Sequence, residues 1–138
     1  MNHSYLENCN IISPLGWDTR ENLLALLSGK EGIQNYKKGS LSPVDLPLAL
    51  MNWAALEKRF LDLVGRDEKR QFTRFEKMGI LSINDALRTS RVDPGDPETT
   101  FILSTTKGNV ELLDESGNYS YIRPMNWVIM FDIKVRIA

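Results

Sequence analysis

Chemistry at a protein site needs nucleophiles, proton donors and acceptors, metal ligands or converging hydrogen-bond donors, and this chain has few of them. It contains one cysteine, Cys9, and one histidine, His3, both near the N-terminus. A reactive thiolate requires a positive, positioned setting such as a helix N-terminus or a neighbouring histidine. Cys9 falls on a predicted strand, so a structural cysteine is the better reading. A metal centre would need more ligands than His3, Cys9 and scattered carboxylates provide, and no metal or other cofactor is expected. The most polar, glycine-bearing turn is Ser104-Thr105-Thr106-Lys107-Gly108-Asn109. It lies between the apolar run Phe101-Ile102-Leu103 and the apolar-periodic Val110, Leu112 and Leu113. A strand-turn-helix unit of this kind can aim backbone N–H groups at an anion. A phosphate loop would need Gly-Lys followed by Ser or Thr, which is absent. Thr105, Thr106, Lys107 and Gly108 are therefore candidate binding residues in a turn that reads first as structural.

The elements that must position this turn can be taken in order. Leu6 to Leu15 reads as a strand through Ile11-Ile12, ended by Pro14, which cannot donate to a ladder. Asp18 as N-cap with Glu21 three residues on starts a helix carrying Leu23, Leu24 and Leu27, and Ser28-Gly29 stops it. Tyr36 to Pro47 is rich in Gly, Ser and Pro and reads as irregular surface. Met51 to Val64 repeats Leu56, Phe60, Leu61 and Val64 near a helical period, with Gly65 as terminator. The strongest helix is Phe72 to Thr89, with a stripe of Phe72, Phe75, Gly79, Ile80, Ile83, Ala86 and Leu87. Glycine at position 79 costs about 1 kcal/mol against alanine, which suggests that another backbone packs there. Asp93 to Pro97 is a turn cluster leading into a strand at Thr100. Trp127 to Ile137 begins as a continuous apolar run and then alternates, which predicts a strand that must pair inside the fold or across a dimer.

Composition narrows the function classes. The chain has 138 residues, 42% hydrophobic and 25% charged, with a formal net charge of -1, which is the composition of one ordinary globular domain. Lys and Arg are scattered and nearly balanced by Asp and Glu, so no nucleic-acid footprint is present. The opening MNHSYLENCN has no apolar core and does not read as a signal peptide. No apolar run approaches the roughly 20 residues needed to span a bilayer. A single cysteine fits a reducing compartment, so a cytoplasmic location is expected.

Four stretches in order resemble the N-terminal part of a β-ketoacyl-[acyl-carrier-protein] synthase, a member of the thiolase superfamily. These are the opening strand with its SPLG turn (Asn8 to Gly16), the LLSGKEGI element (Leu26 to Ile33), the FTRF helix start (Phe72 to Phe75), and the strand-turn-helix from Thr100 to Leu113. The match covers roughly residues 6–115, which divides the chain into a synthase-like segment over 1–118 and a non-matching strand segment over 119–138. The resemblance implies an α/β chain, a partial thiolase-like fold with layered helices against a mixed sheet. It also implies acyltransferase kinship, an acyl carrier protein as partner, and a homodimer or a complete synthase subunit as company. Thr105 to Gly108 would lie by the dimer interface and the far end of the acyl pocket, where Lys107 places an ammonium in an apolar setting. Two family glycines are replaced by Asn8 and Asn10, residues that tolerate positive φ. The family's catalytic cysteine and two histidines lie beyond the matched portion, and neither Cys9 nor His3 takes their positions. The chain is thus expected to be an inactive front segment of a truncated or frame-altered synthase. Two other readings stand beside it: a non-catalytic partner resembling a chain-length factor, and a free-standing α/β ligand-binding module.

Overall fold

A computed structural model describes residues 4–39, 41–66, 71–100, and positions 102, 104, 105, 108 and 109 of the turn that follows. The element order is α1 (Thr19–Leu27), β1 (Gln34–Tyr36), β2 (Leu46–Leu48), α2 (Trp53–Val64) and α3 (Arg74–Leu87). The described residues thus form a mixed α/β arrangement of three helices and one antiparallel pair of strands. Among them no helix is long and apolar enough to cross a membrane.

Each helix begins and ends for a local reason. Asp18 accepts from Glu21 N at 2.6 Å, while the Glu21 carboxylate reaches back one residue further, to Trp17 N at 2.7 Å. The α1 C-terminus is a Schellman motif: Gly29 N donates to Leu26 O and Lys30 N to Ala25 O, both at 3.0 Å, with Gly29 at φ +73°. Asn52 caps α2 by accepting from Ala55 N at 3.0 Å, and Gly65 leaves it at φ +89°. Thr73 and Glu76 make a reciprocal capping box at the start of α3.

The apolar core lies between α2 and α3. Leu56 and Phe60 from α2 and Ile80 from α3 are buried, and Phe60 meets Phe72 edge-to-face with ring centroids 5.1 Å apart. Lys77 of α3 pairs with Glu57 of α2 and lies 5.5 Å from the Phe60 ring, which seals one edge of the contact. Ala25 of α1 is the remaining buried apolar side chain among the described residues.

Several expectations change. Leu6 to Leu15 joins no strand ladder: residues 6–12 have no regular structure, and the single bridge links Ser13 to Gly16 across the turn at Pro14 and Leu15. Its polar groups bond to helices and side chains instead of to a neighbouring strand. The stretch read as irregular between Tyr36 and Pro47 is a hairpin, with Gln34 opposite Leu48, Asn35 opposite Pro47 and Tyr36 opposite Leu46. Both strands are edges, which is where a proline without N–H is tolerated. Asp45 ties the loop shut, accepting from Lys38 N at 2.7 Å and from Lys37 Nζ at 3.0 Å. Gly79 has no close neighbour: a Cβ built there meets nothing within 4 Å. Of the strand expected at Thr100 to Leu103, Ile102 is 84% exposed and outside any ladder, while Phe101 and Leu103 lie outside the described residues. An interior strand needs partners on its edges, and no described segment pairs with it. The sheet that is described is antiparallel, and the boundary near 118 and the segment Trp127 to Ile137 lie outside the described residues.

Candidate functional site

Three asparagine-centred junctions hold the described parts together, and the candidate turn belongs to one of them. Gly108 adopts φ +52°, and its N–H donates to Thr105 Oγ1 at 2.9 Å, closing a short turn around Thr105, which is exposed. Asn109 is buried to 5% exposure and docks this turn on the start of α3. Its Oδ1 accepts from the Thr73 hydroxyl at 2.6 Å, and its Nδ2 donates to Glu76 Oε1 at 3.0 Å. The Glu76 carboxylate also accepts from Thr73 N at 2.8 Å, so one carboxylate serves both the helix cap and the turn. The cap groups of α3 are therefore engaged by the chain's own side chains. Of the candidate residues, Thr105 and Gly108 share this turn, and Thr106 and Lys107 lie outside the described residues.

The second junction is Asn22, 6% exposed on the inner face of α1. Its Nδ2 donates to Ile11 O at 3.0 Å, Gly16 O at 3.0 Å and Asp18 O at 2.8 Å, and its Oδ1 accepts from the Ser13 hydroxyl. Two N–H groups serve three carbonyls, so at least one is shared. The Ser13 hydroxyl in turn accepts from Leu15 N at 3.1 Å. The SPLG turn is thereby clamped onto the helix, and Gly16 has to be glycine, since a Cβ there would sit 2.8 Å from Asn22 N.

The third junction straps the N-terminal segment along α3. Asn8 Nδ2 donates to Ala86 O at 2.6 Å and to Thr89 Oγ1 at 2.7 Å; Asn10 Nδ2 donates to Ser82 Oγ at 3.2 Å. Glu7 accepts from Arg91 N at 2.7 Å and from Arg91 Nε at 3.2 Å. The segment thus runs antiparallel to the helix. Two residues of extended chain advance about 6.6 Å and four residues of helix about 6 Å, so alternate asparagines match successive turns. The two asparagines do not use positive φ, which among the described residues occurs only at glycine. Their side-chain amides, which glycine lacks, are what the positions use. Asn10 Oδ1 is buried with no hydrogen-bond partner among the described residues.

Cys9 sits between these asparagines, exposed, with its Sγ 3.8 Å from Thr19 Oγ1. It is neither on a strand nor buried, because Asn8 and Asn10 turn inward to α3 and the intervening side chain faces out. His3 lies outside the described residues. Among those described, no three His, Cys, Asp or Glu side chains converge on a point that could hold a metal. Among the described residues two carboxyls titrate below their ordinary range: Glu7 through the bond from Arg91 N and then the Arg91 side chain, and Asp45 through the bond from Lys38 N and then Lys37. Both are hydrogen-bonded latches at the surface and not groups poised for proton transfer.

Sequence reasoning singled out the turn, Asn109 included, without giving Asn109 a docking role, and passed over Asn22 and the amide role of Asn8 and Asn10. The signal available for Asn22 was its place four residues after the capping Asp18, on the helix face opposite Leu23, Leu24 and Leu27. No protein-family model, no curated protein and no solved structure matches this chain.

Proposed function

We propose that this chain is the front portion of a β-ketoacyl-[acyl-carrier-protein] synthase scaffold, a layer of helices belonging against a mixed sheet of thiolase-like type, and that it does not condense acyl groups by itself. The observation that carries the reading is the order and spacing of NCNIISPLG, LLSGKEGI, FTRF and FILSTTKGNVELL within one chain. Support comes from the structural tasks of the first three: SPLG is the turn clamped by Asn22, LLSGK is the Schellman stop of α1, and the Thr of FTRF is the cap of α3. The small apolar core among the described residues and the outward leucines of α1 also suit one layer of a larger assembly.

Decarboxylative condensation moves an acyl group onto a cysteine thiolate, expels carbon dioxide from a malonyl thioester, and lets the resulting carbanion attack the acyl-enzyme carbonyl. It needs an activated cysteine, two histidines and an oxyanion hole. A chain with one cysteine and one histidine cannot assemble that set. Cys9, exposed in a segment without regular structure beside a threonine hydroxyl, lacks the strand-helix elbow that would present it. By kinship, an acyl carrier protein is the partner of the complete enzyme, and Thr105 to Gly108 belong near the far end of its acyl pocket.

The test is to incubate the purified chain with acyl- and malonyl-loaded carrier protein and weigh carrier and chain by mass spectrometry. The expected result is no β-ketoacyl carrier and no acyl group on Cys9. Turnover to a β-ketoacyl product would overturn the proposal.

A further inference from the structure

Two of the six prolines follow an aspartate, in Asp93-Pro94 and Asp96-Pro97. An aspartyl-prolyl bond carries its own nucleophile: the side-chain carboxyl can close a five-membered ring onto the carbonyl carbon of the same residue. It also carries a good leaving group, because the proline nitrogen belongs to a tertiary amide, has no N–H and takes up a proton more readily than an ordinary peptide nitrogen. The two bonds sit in consecutive turns of the same build. In each, the aspartate Oδ1 accepts from the N–H two residues on, Gly95 N or Glu98 N, both at 2.8 Å. In each, the aspartate carbonyl oxygen accepts from the N–H three residues on, Asp96 N at 3.2 Å or Thr99 N at 2.9 Å. One contact separates them. The Thr99 hydroxyl donates to Asp93 O at 2.7 Å, so of the two scissile carbonyls only that of Asp93 holds two donors among the described residues.

We propose that the Asp93–Pro94 bond is a self-cleavage site in acid, with the Asp93 carboxyl as nucleophile and Asp96 N and Thr99 Oγ1 as the oxyanion donors. Gly95 N holds Asp93 Oδ1, which leaves Oδ2 without a partner among the described residues. Oδ2 of the protonated carboxyl adds to the Asp93 carbonyl carbon, and the oxygen that gains negative charge is the one both donors already face. The C–N bond then breaks, the carboxyl proton passes to Pro94 N, and a cyclic anhydride remains on Asp93. Water opens the anhydride and restores both carboxyls, so the sum is hydrolysis of one peptide bond with no other reactant. Asp93, Gly95 and Asp96 are exposed, and water therefore reaches the ring. An ionised carboxyl has no proton to give the leaving nitrogen, which makes acid the trigger. The products are 1–93, which carries the three described helices and the hairpin, and 94–138. The inference rests on residues 93–99 and is independent of the synthase reading.

The test compares the two bonds within one molecule, the full chain held at the lowest pH at which circular dichroism still shows its native helices. Mass spectrometry under denaturing conditions then weighs the fragments ending at Asp93 and at Asp96. The Asp93 cut is expected to exceed the Asp96 cut by about tenfold; one positioned oxyanion donor supplies roughly 10²–10³ in a buried enzyme site, and this turn is open to water. In concentrated urea at the same pH, where the hydroxyl contact is lost, the excess should disappear. Thr99→Val should also remove the excess and leave the Asp96 cut unchanged, while Thr99→Ser should keep it. Asp93→Ala should abolish the first cut and spare the second. No cut at Asp93, equal cuts in the folded chain, or an excess that survives urea or Thr99→Val each overturn the proposal, as does a first cut that persists in Asp93→Ala.

Discussion

The clamp at Asn22 makes a prediction whose size can be worked from its partners. In Asn22→Ala, Gly16 O keeps its bond from Ser13 N at 2.9 Å, and Asp18 O keeps its bond from the backbone N of residue 22 at 3.1 Å. Ile11 O is the carbonyl that depends on the amide, and the Ser13 hydroxyl loses its acceptor. One orphaned carbonyl and one weakened hydroxyl cost about 2–3 kcal/mol. Asn22→Asp keeps an acceptor for Ser13 but turns a carboxylate oxygen toward three carbonyls now 2.8–3.0 Å from the amide nitrogen. It should be less stable than the alanine variant at pH 7 by a further 1–3 kcal/mol, roughly. With three carbonyls against a single hydroxyl donor, the introduced carboxyl has its pKa raised in the folded state. Its penalty is therefore absent below about pH 4, the unfolded value, and grows as pH rises through the folded value. Urea unfolding of wild type and both variants at pH 4 and pH 7 measures this, with unchanged m-values as the check on two-state behaviour. An aspartate variant as stable as the alanine one at pH 7, or one whose deficit shrinks toward neutrality, would refute the donor geometry assigned to Asn22.

Other outcomes follow from the same contacts. Gly79→Ala, at a helical site where the added methyl meets nothing within 4 Å, should stabilise the chain by about 0.5–1 kcal/mol in thermal or urea melts; destabilisation would mean that something packs closely on α3 there. Asn109→Ala removes the bonds to Thr73 and Glu76 while leaving their capping box intact, so amide exchange should quicken at Gly108 with α3 helicity kept; loss of α3 instead would place the cap's stability in Asn109. Glu7 and Asp45, both lowered by the amides they accept from, contribute stability that is present above the ordinary carboxylate range and lost as pH falls through their depressed values. In an NMR titration the Arg91 and Lys38 amide shifts should move with midpoints below those of free carboxylates, and midpoints at the ordinary value would refute the latches.

What could be read from the sequence was what is locally encoded. Asp18 as cap and Gly29 and Gly65 as stops need only neighbours within one helical turn, and the apolar stripes over Met51 to Val64 and Phe72 to Thr89 put α2 and α3 within two residues of where they stand, behind the caps Asn52 and Thr73. The hairpin escaped because three-residue strands, one carrying Pro47, give no period to detect. Apolar periodicity normally faces inward, but the leucines of α1 face outward. Here a single amide contact from Asn22 to segments 4 to 11 residues away decides the orientation. The strap is less legible still: Asn8 and Asn10 find α3 partners more than 70 residues on, and no local pattern announces an amide that will bond across that separation. The same holds for Asn109, which was counted in the polar turn while its bonds to Thr73 and Glu76, 36 and 33 residues back, went unread.

The proposed kinship is tested most directly by sequencing the coding DNA that follows codon 138 in the source genome. A synthase front portion predicts a continuation, in the same or a shifted frame, encoding a cysteine on a strand-helix elbow and two downstream histidines. A downstream sequence with no such cysteine and histidines in any frame would contradict it.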